Sequence, residues 1–217
     1  MIGRRALLAG AALWPLAAWT QAARAETGPR ILAFGDSLTA GYGLPTSKGL
    51  TSVLQDWLAA RGTPARIVNR GLSGDTTYGG RVRIHWALRG GADAVIVQLG
   101  GNDMLLGLSS VQAEANLDAI LTTAGAKDRP LLLVGIHAPG RRQDWRRGWA
   151  GIWPRLAARH DALLLPDLYA PLAAIPAGER KPFLLDDGIH PSAKGVELLV
   201  GHLGPQVQAL IARVGAR

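Results

Sequence analysis

Five short apolar runs punctuate the chain, at positions 30–34, 65–69, 92–99, 130–136 and 162–166. Within them, as at Val95-Ile96-Val97, apolar residues follow one another without the polar alternation of a half-exposed strand. A strand with no polar face must be covered on both sides, the condition of a strand inside a parallel sheet. The segments between the runs supply the cover. Positions 50–61 set Val53, Leu54, Trp57 and Leu58 at helical spacing, and 111–124 do so with Leu117, Ile120 and Leu121. Positions 144–160 and 193–214 follow the same pattern. Strands alternating with helices predict a single-domain, three-layer α/β/α fold around a flavodoxin-like, five-stranded parallel sheet. The length of 217 residues suits one domain, and no repeat, low-complexity tract or linker divides it.

Sheets wound in this way meet their ligands at the carboxyl ends of the strands. The turns that follow the runs read Gly35-Asp36-Ser37-Leu38, Gly71-Leu72-Ser73-Gly74-Asp75 and Gly100-Gly101-Asn102-Asp103. The last helix is preceded by Asp187-Gly188-Ile189-His190-Pro191. A serine at a strand-to-helix turn presents its hydroxyl at the rim of the sheet, and alone it reads equally as a helix cap. A histidine changes that reading, because a hydroxyl attacks only when a base takes its proton. Imidazole titrates near pH 6.5 and suits the task. It needs an acceptor to hold its tautomer, and Asp187 stands three residues before His190, with Asp186 a competitor. His137 is the rival base; it has no carboxylate near it in sequence and reads as a pocket or packing residue. Acyl transfer also needs donors for the developing oxyanion. Ser37 and Gly74 offer backbone N–H groups, and Asn102 offers a side-chain amide.

These turns resemble, in order, the four blocks of the SGNH, or GDSL, hydrolase family: FGDSLT at 34–39, Gly74, Gly101-Asn102-Asp103 and DGIHP at 187–191. NRGLSGDT at 69–76 and DDGIHP at 186–191 resemble the bacterial thioesterase I, lysophospholipase and arylesterase group most closely. The resemblance implies a hydrolase domain over 26–217, with Ser37 as nucleophile, His190 as general base and then acid, and Asp187 as its orienting carboxylate. It implies an oxyanion hole of Ser37, Gly74 and Asn102, and no cofactor. The implied reaction is hydrolysis of carboxylic esters and thioesters through an acyl-Ser37 intermediate. A carbohydrate O-acetylesterase is the alternative within the class, and a non-catalytic envelope-binding module the alternative outside it. His137-Ala138-Pro139-Gly140 and Lys48-Gly49-Leu50 depart from the group's pattern, on the side where substrate preference is set.

Positions 1–25 read as an export signal rather than as fold. Arg4 and Arg5 precede an apolar stretch that is short for a membrane span, and Ala23-Arg24-Ala25 offers a cleavage site. The arginine pair suits a twin-arginine signal as well as an ordinary secretory one. Either implies a periplasmic or secreted protein with no stable membrane span after cleavage. Removal of the segment takes away Arg4, Arg5 and Arg24, three positive charges from a net +8. Part of the basic balance is therefore targeting, and no nucleic-acid motif accompanies it. The chain lacks cysteine, which excludes disulfides and thiolate chemistry, and no histidine pair has metal-ligand spacing. Gly41-Tyr42-Gly43 is only a partial dinucleotide fingerprint, with Thr46 in place of the third glycine. The expected partner is a small-molecule or lipid ester bound by a monomer.

Two features bear on the substrate side. MLLGL at 104–108 follows an active-site turn, so Met104, Leu105 and Leu108 either wall an acyl groove or begin the next helix's packing. Trp145, Trp149 and Trp153 recur every four residues, the spacing of a buried helix face, while Trp145 also suits the wall of an acyl or aryl pocket.

Overall fold

The computed structural model describes residues 28–136 and 143–216. The expected export segment at 1–25 and His137 lie outside these residues. Five parallel strands, β1 (Arg30–Gly35), β2 (Arg66–Gly71), β3 (Ala94–Gln98), β4 (Leu131–Val134) and β5 (Leu163–Leu165), form one sheet in the order β2-β1-β3-β4-β5. This is the flavodoxin-like order. β1 lies between β2 and β3, pairing Ile31 with Ile67 on one side and with Ala94 on the other, and β3 is the central strand.

Alternate residues of each strand face opposite layers, so the sheet separates two cores. Leu32, Phe34, Val95, Val97, Leu131 and Leu133 pack against Ile84, Leu117, Ile120, Leu121, Trp149 and Trp153. Those partners stand on α3 (Thr77–Ala87), α5 (Ser110–Ala124), α6 (Gln143–Ala150) and α7 (Ile152–Arg159). On the other face, Ile31, Ala94, Ile96, Leu132 and Val134 meet Leu54 and Leu58 of α2 (Leu50–Ala59). They also meet Leu199, Leu203 and Val207 of α9 (Ala193–Gly215). Three one-turn helices, α1 (Ser37–Ala40), α4 (Gly101–Leu105) and α8 (Ala170–Ala174), lie in the turns at the carboxyl ends of the strands.

Two elements differ from the sequence expectation. The helix α3 joins β2 to β3 where no amphipathic pattern was recognised. Its buried positions, Thr77, Gly80, Ile84 and Ala87, do have helical spacing, but three of the four are small or polar. Its outer face carries Tyr78, Val82 and Trp86, so hydrophobicity is spread around the helix rather than gathered on one side. Gly80 is required there, because a Cβ would come 2.5 Å from Leu99 and 3.3 Å from the Phe34 ring. The expected single helix at 144–160 is two helices, divided at Gly151. Pro154 has no N–H for the carbonyl four residues back, which places it in the first turn of a new helix rather than inside a continuous one. The tryptophan stripe survives the break: Trp149 and Trp153 are buried, with ring centroids 6.3 Å apart.

Candidate active site

Gly35 ends β1, and a Cβ there would lie 2.7 Å from the Gln98 carbonyl, so the chain turns tightly against β3. The Asp36 carboxylate accepts from the Leu38 N–H at 3.1 Å and caps α1, whose first residue is Ser37. Leu38 and Thr39 anchor this short helix in the protein. The Ser37 side chain is left at the rim of the sheet.

The base arrives from the connection between β5 and α9. One oxygen of Asp187 accepts the N–H groups of Ile189 at 2.8 Å and His190 at 2.9 Å. Gly188, at φ +68, makes the turn between them. The other oxygen lies 2.7 Å from His190 Nδ1, and His190 Nε2 lies 2.8 Å from Ser37 Oγ. Asp187, rather than Asp186, therefore closes the chain. Three donors on one carboxylate favour its charged form, and the imidazole bond leads the causes that hold its pKa down to about 2. With Nδ1–H donated to Asp187, the Nε2 lone pair is directed at the serine hydroxyl. The Tyr42 ring covers the imidazole at a centroid distance of 4.4 Å, and the Tyr169 hydroxyl donates to the Ile189 carbonyl.

Gly74 and Asn102 come to the same site from the ends of β2 and β3. Gly74 takes φ +81, and an added Cβ would meet nothing within 4 Å. Its backbone faces open space, and the positive φ is what calls for glycine. Asn102 donates from Nδ2 to the Asp75 carbonyl at 2.8 Å, which leaves its second amide hydrogen for a ligand.

A polar scaffold beneath these donors was not visible in the sequence. Arg83 of α3 donates to the Asp75 carboxylate at 2.6 Å, to the Arg70 carbonyl at 2.8 Å and to the Gly35 carbonyl at 2.9 Å. It thus ties the ends of β1 and β2 to the loop that carries Gly74. Burial pushes the Asp75 carboxyl up, and Arg83 opposes that shift. The Asp103 carboxylate accepts from the Thr77 N–H at 2.8 Å and the Thr77 hydroxyl at 2.6 Å, joining the second and third turns. Behind Ser37, Asp36 is buried, and desolvation leads the causes that push its pKa up to about 6. Gln98 donates to it at 3.2 Å and accepts from Thr39 at 3.0 Å. These partners are 8 to 62 residues apart, so no local motif announces them.

A cavity of about 650 Å³ opens beside Ser37 and His190. Its apolar wall includes Met104, Leu105, Ile136, Trp145, Leu172 and Leu184. Met104, Leu105 and Trp145 therefore stand where the sequence suggested a substrate wall. Leu108 does not: it is exposed and lies outside the cavity. Leu172 and Leu184 were missed because they lie in the long connection after β5, which has no periodic pattern. Of the tryptophan stripe, Trp145 lines this cavity, while Trp149 and Trp153 are buried in the core.

A serine hydroxyl in contact with an imidazole, a carboxylate on the far side of that imidazole, Gly74 and Asn102 at the same cavity and an apolar wall suit acyl transfer. Comparison with known proteins agrees with this chemistry. Residues 33–198 match the family model described as GDSL-like Lipase/Acylhydrolase. The chain is 33% identical over 211 residues to Esterase TesA of Pseudomonas aeruginosa, across 95% of this chain and 100% of that protein. It is 32% identical over 192 residues to Thioesterase 1/protease 1/lysophospholipase L1 of Escherichia coli strain K12, across 87% and 88% of the two chains. A crystal structure of TesA, 31% identical, superposes with a TM-score of 0.76 and covers 83% of this chain and 98% of that one.

Proposed function

This chain belongs to the GDSL-like lipase/acylhydrolase family, and on that premise we propose that Ser37, His190 and Asp187 are its catalytic residues. The chain is an ester-bond hydrolase; the residue roles and the substrate range are our reading. The observation that carries it is the unbroken sequence of contacts from Asp187 through His190 to Ser37, at 2.7 and 2.8 Å.

His190 Nε2 takes the Ser37 proton as Oγ attacks the acyl carbonyl. The carbonyl oxygen becomes negative and is met by the N–H groups of Ser37 and Gly74 and by the Asn102 amide. Collapse breaks the bond to the leaving oxygen or sulfur, which takes the proton from His190. Water then attacks the acyl-Ser37 ester, His190 again accepts the proton, and the acid leaves as Ser37 Oγ is reprotonated. Every residue in the cycle comes from one chain, which suits action as a monomer.

The substrate is an ester or thioester with a medium or long acyl chain. The apolar cavity supports this choice, because an acetyl group fills little of it. The similarity to a thioesterase and lysophospholipase also supports it. Residues 1–25 direct export to the periplasm or beyond, and the support is Arg4-Arg5, the apolar stretch and Ala23-Arg24-Ala25. No helix among the described residues is long and apolar enough to cross a membrane.

The test is hydrolysis of p-nitrophenyl esters from acetate to palmitate, by the native chain and by Ser37→Ala. Turnover should peak at medium or long chains and vanish in the variant, while its circular dichroism stays native. Normal turnover by Ser37→Ala would remove the proposed nucleophile. Activity confined to acetate would make the chain a deacetylase, and no activity on any ester, acyl thioester or sugar ester would leave a binding module.

A further inference from the structure

Exposed apolar side chains are gathered at one end of this molecule. After β1 comes Tyr42; after β2 come Leu72 and Tyr78. The connection after β3 carries Leu105, Leu106, Leu108 and Val111, and the one after β5 carries Ile189. Tyr78, Leu106 and Val111 are 65%, 67% and 75% exposed. All follow the carboxyl ends of strands, the end that holds Ser37. The helices α3 and α5 return antiparallel to the sheet, so Tyr78 and Val111 in their first turns open toward the same end. Among the described residues, the other large apolar side chains this exposed are Val82 and Trp86, which extend the Tyr78 face of α3. Tyr42, Leu105 and Ile189 also line the cavity, so the apolar rim and the cavity are continuous.

Single exposed apolar residues are ordinary, but a group around one opening marks a surface that meets something. Charge indicates what. Exposed Lys48, Arg146, Arg147 and Lys181 stand on segments at this same end. Against them are exposed Glu179, Asp186 and the His190-paired Asp187, with half-buried Asp167 in the cavity wall. A protein or a second copy seated on the rim would close the cavity mouth over Ser37. A lipid surface would instead deliver acyl chains into it.

We propose that this rim docks the enzyme on an anionic phospholipid bilayer, mouth down, so that an acyl chain passes from lipid to cavity without crossing water. The orientation rests on the reading of Ser37 as the reacting atom. The apolar side chains enter the interface, while each cation beside an anionic leaflet adds about 1 kcal/mol that salt screens.

The experiment is hydrogen exchange of the full chain carrying Ser37→Ala, with vesicles of phosphatidylglycerol and phosphatidylcholine and with phosphatidylcholine alone. Protection should appear at 72–78, 104–111 and 189 with the anionic vesicles and decline in high salt. Tyr78→Ser with Val111→Ser in the otherwise native chain should weaken vesicle binding at least roughly tenfold, because two apolar side chains no longer enter the interface. That variant should keep its turnover of a soluble ester and lose turnover of lysophospholipid carried in vesicles. No protection, or protection confined to 1–25, in a chain whose native form hydrolyses soluble esters overturns the docking and leaves the esterase reading intact. Rim protection in a chain that hydrolyses nothing does the reverse. Rim protection without lipid, with a doubled mass in solution, assigns the rim to a second copy and overturns the proposal.

Discussion

Asp187 shows how one residue is given its task by its neighbours. Two backbone N–H groups and an imidazole converge on it, so it stays ionised down to about pH 2 although it lies near the surface. In the proposed mechanism this fixed negative charge holds His190 with Nδ1 protonated and supports the imidazolium when the serine proton arrives. Asn102, in the same proposed mechanism, meets the charge at the other end of the reaction. One amide hydrogen is committed to the Asp75 carbonyl, and that bond aims the second. Asn102→Ala should lower kcat about 100- to 1,000-fold, or about 2.7–4 kcal/mol, with KM little changed. Steady-state kinetics on one soluble ester check this, and a change confined to KM would make Asn102 a ground-state binding residue instead. These residues were legible in the sequence because each sits in a short turn whose neighbours follow in the chain. In Asp187-Gly188-Ile189-His190 the spacing favours Asp187 over Asp186, and the choice between them is made only by the turn at Gly188 and the 2.7 Å contact to the imidazole. Arg83 and Gln98 declared nothing, because their partners are near only after the sheet forms.

At the scale of elements, the site depends on the helix that the sequence hid. The inner face of α3 is Thr77, Gly80, Ile84 and Ala87, too small and too polar to stand out, while its outer face is apolar. The apolar runs were clear because parallel strands are covered on both sides; α3 was not, because close packing against Phe34 and Leu99 demanded glycine where a pattern demands leucine. This helix supplies Arg83, whose guanidinium bonds the ends of two strands and the loop that carries Gly74 while its face lies 4.0 Å from the Phe34 ring. Arg83→Met keeps much of the packing and removes the three bonds. We expect kcat to fall about tenfold with KM held, since the loop that positions Gly74 and Asp75 loosens while the cavity stays. The substitution also strands the Asp75 carboxylate, the costly half of a broken buried pair. Asp75→Asn added to Arg83→Met should therefore recover melting temperature but not kcat. Recovery of both together would reduce Arg83 to a purely structural role.

For the whole molecule, two apolar cores clamp the sheet, and at its carboxyl end a buried polar group, Asp36, lies between them and the cavity. The fold buries this carboxyl directly behind Ser37, with Gln98 and the Leu38 N–H as its donors. Burial outweighs those donors, so the folded-state pKa is about 6 against an ordinary value of 3.8. Below pH 3.8 both folded and unfolded chains hold the proton. Between pH 3.8 and about 6 only the folded chain holds it, so stability falls as pH rises through this window. Above it neither state holds the proton, and the loss is complete, at most about 3 kcal/mol for a shift of this size. Asp36→Asn removes the titration. The substituted amide still accepts the Leu38 N–H, and Gln98 turned end for end accepts from it and donates to Thr39, so the network stays satisfied. Melting temperature measured from pH 4 to 7 should thus decline more steeply in the native chain than in Asp36→Asn, with the difference opening between pH 4 and 6. Parallel curves would mean that Asp36 is already ionised at pH 4, and that Gln98 and Leu38 solvate it better than burial penalises it.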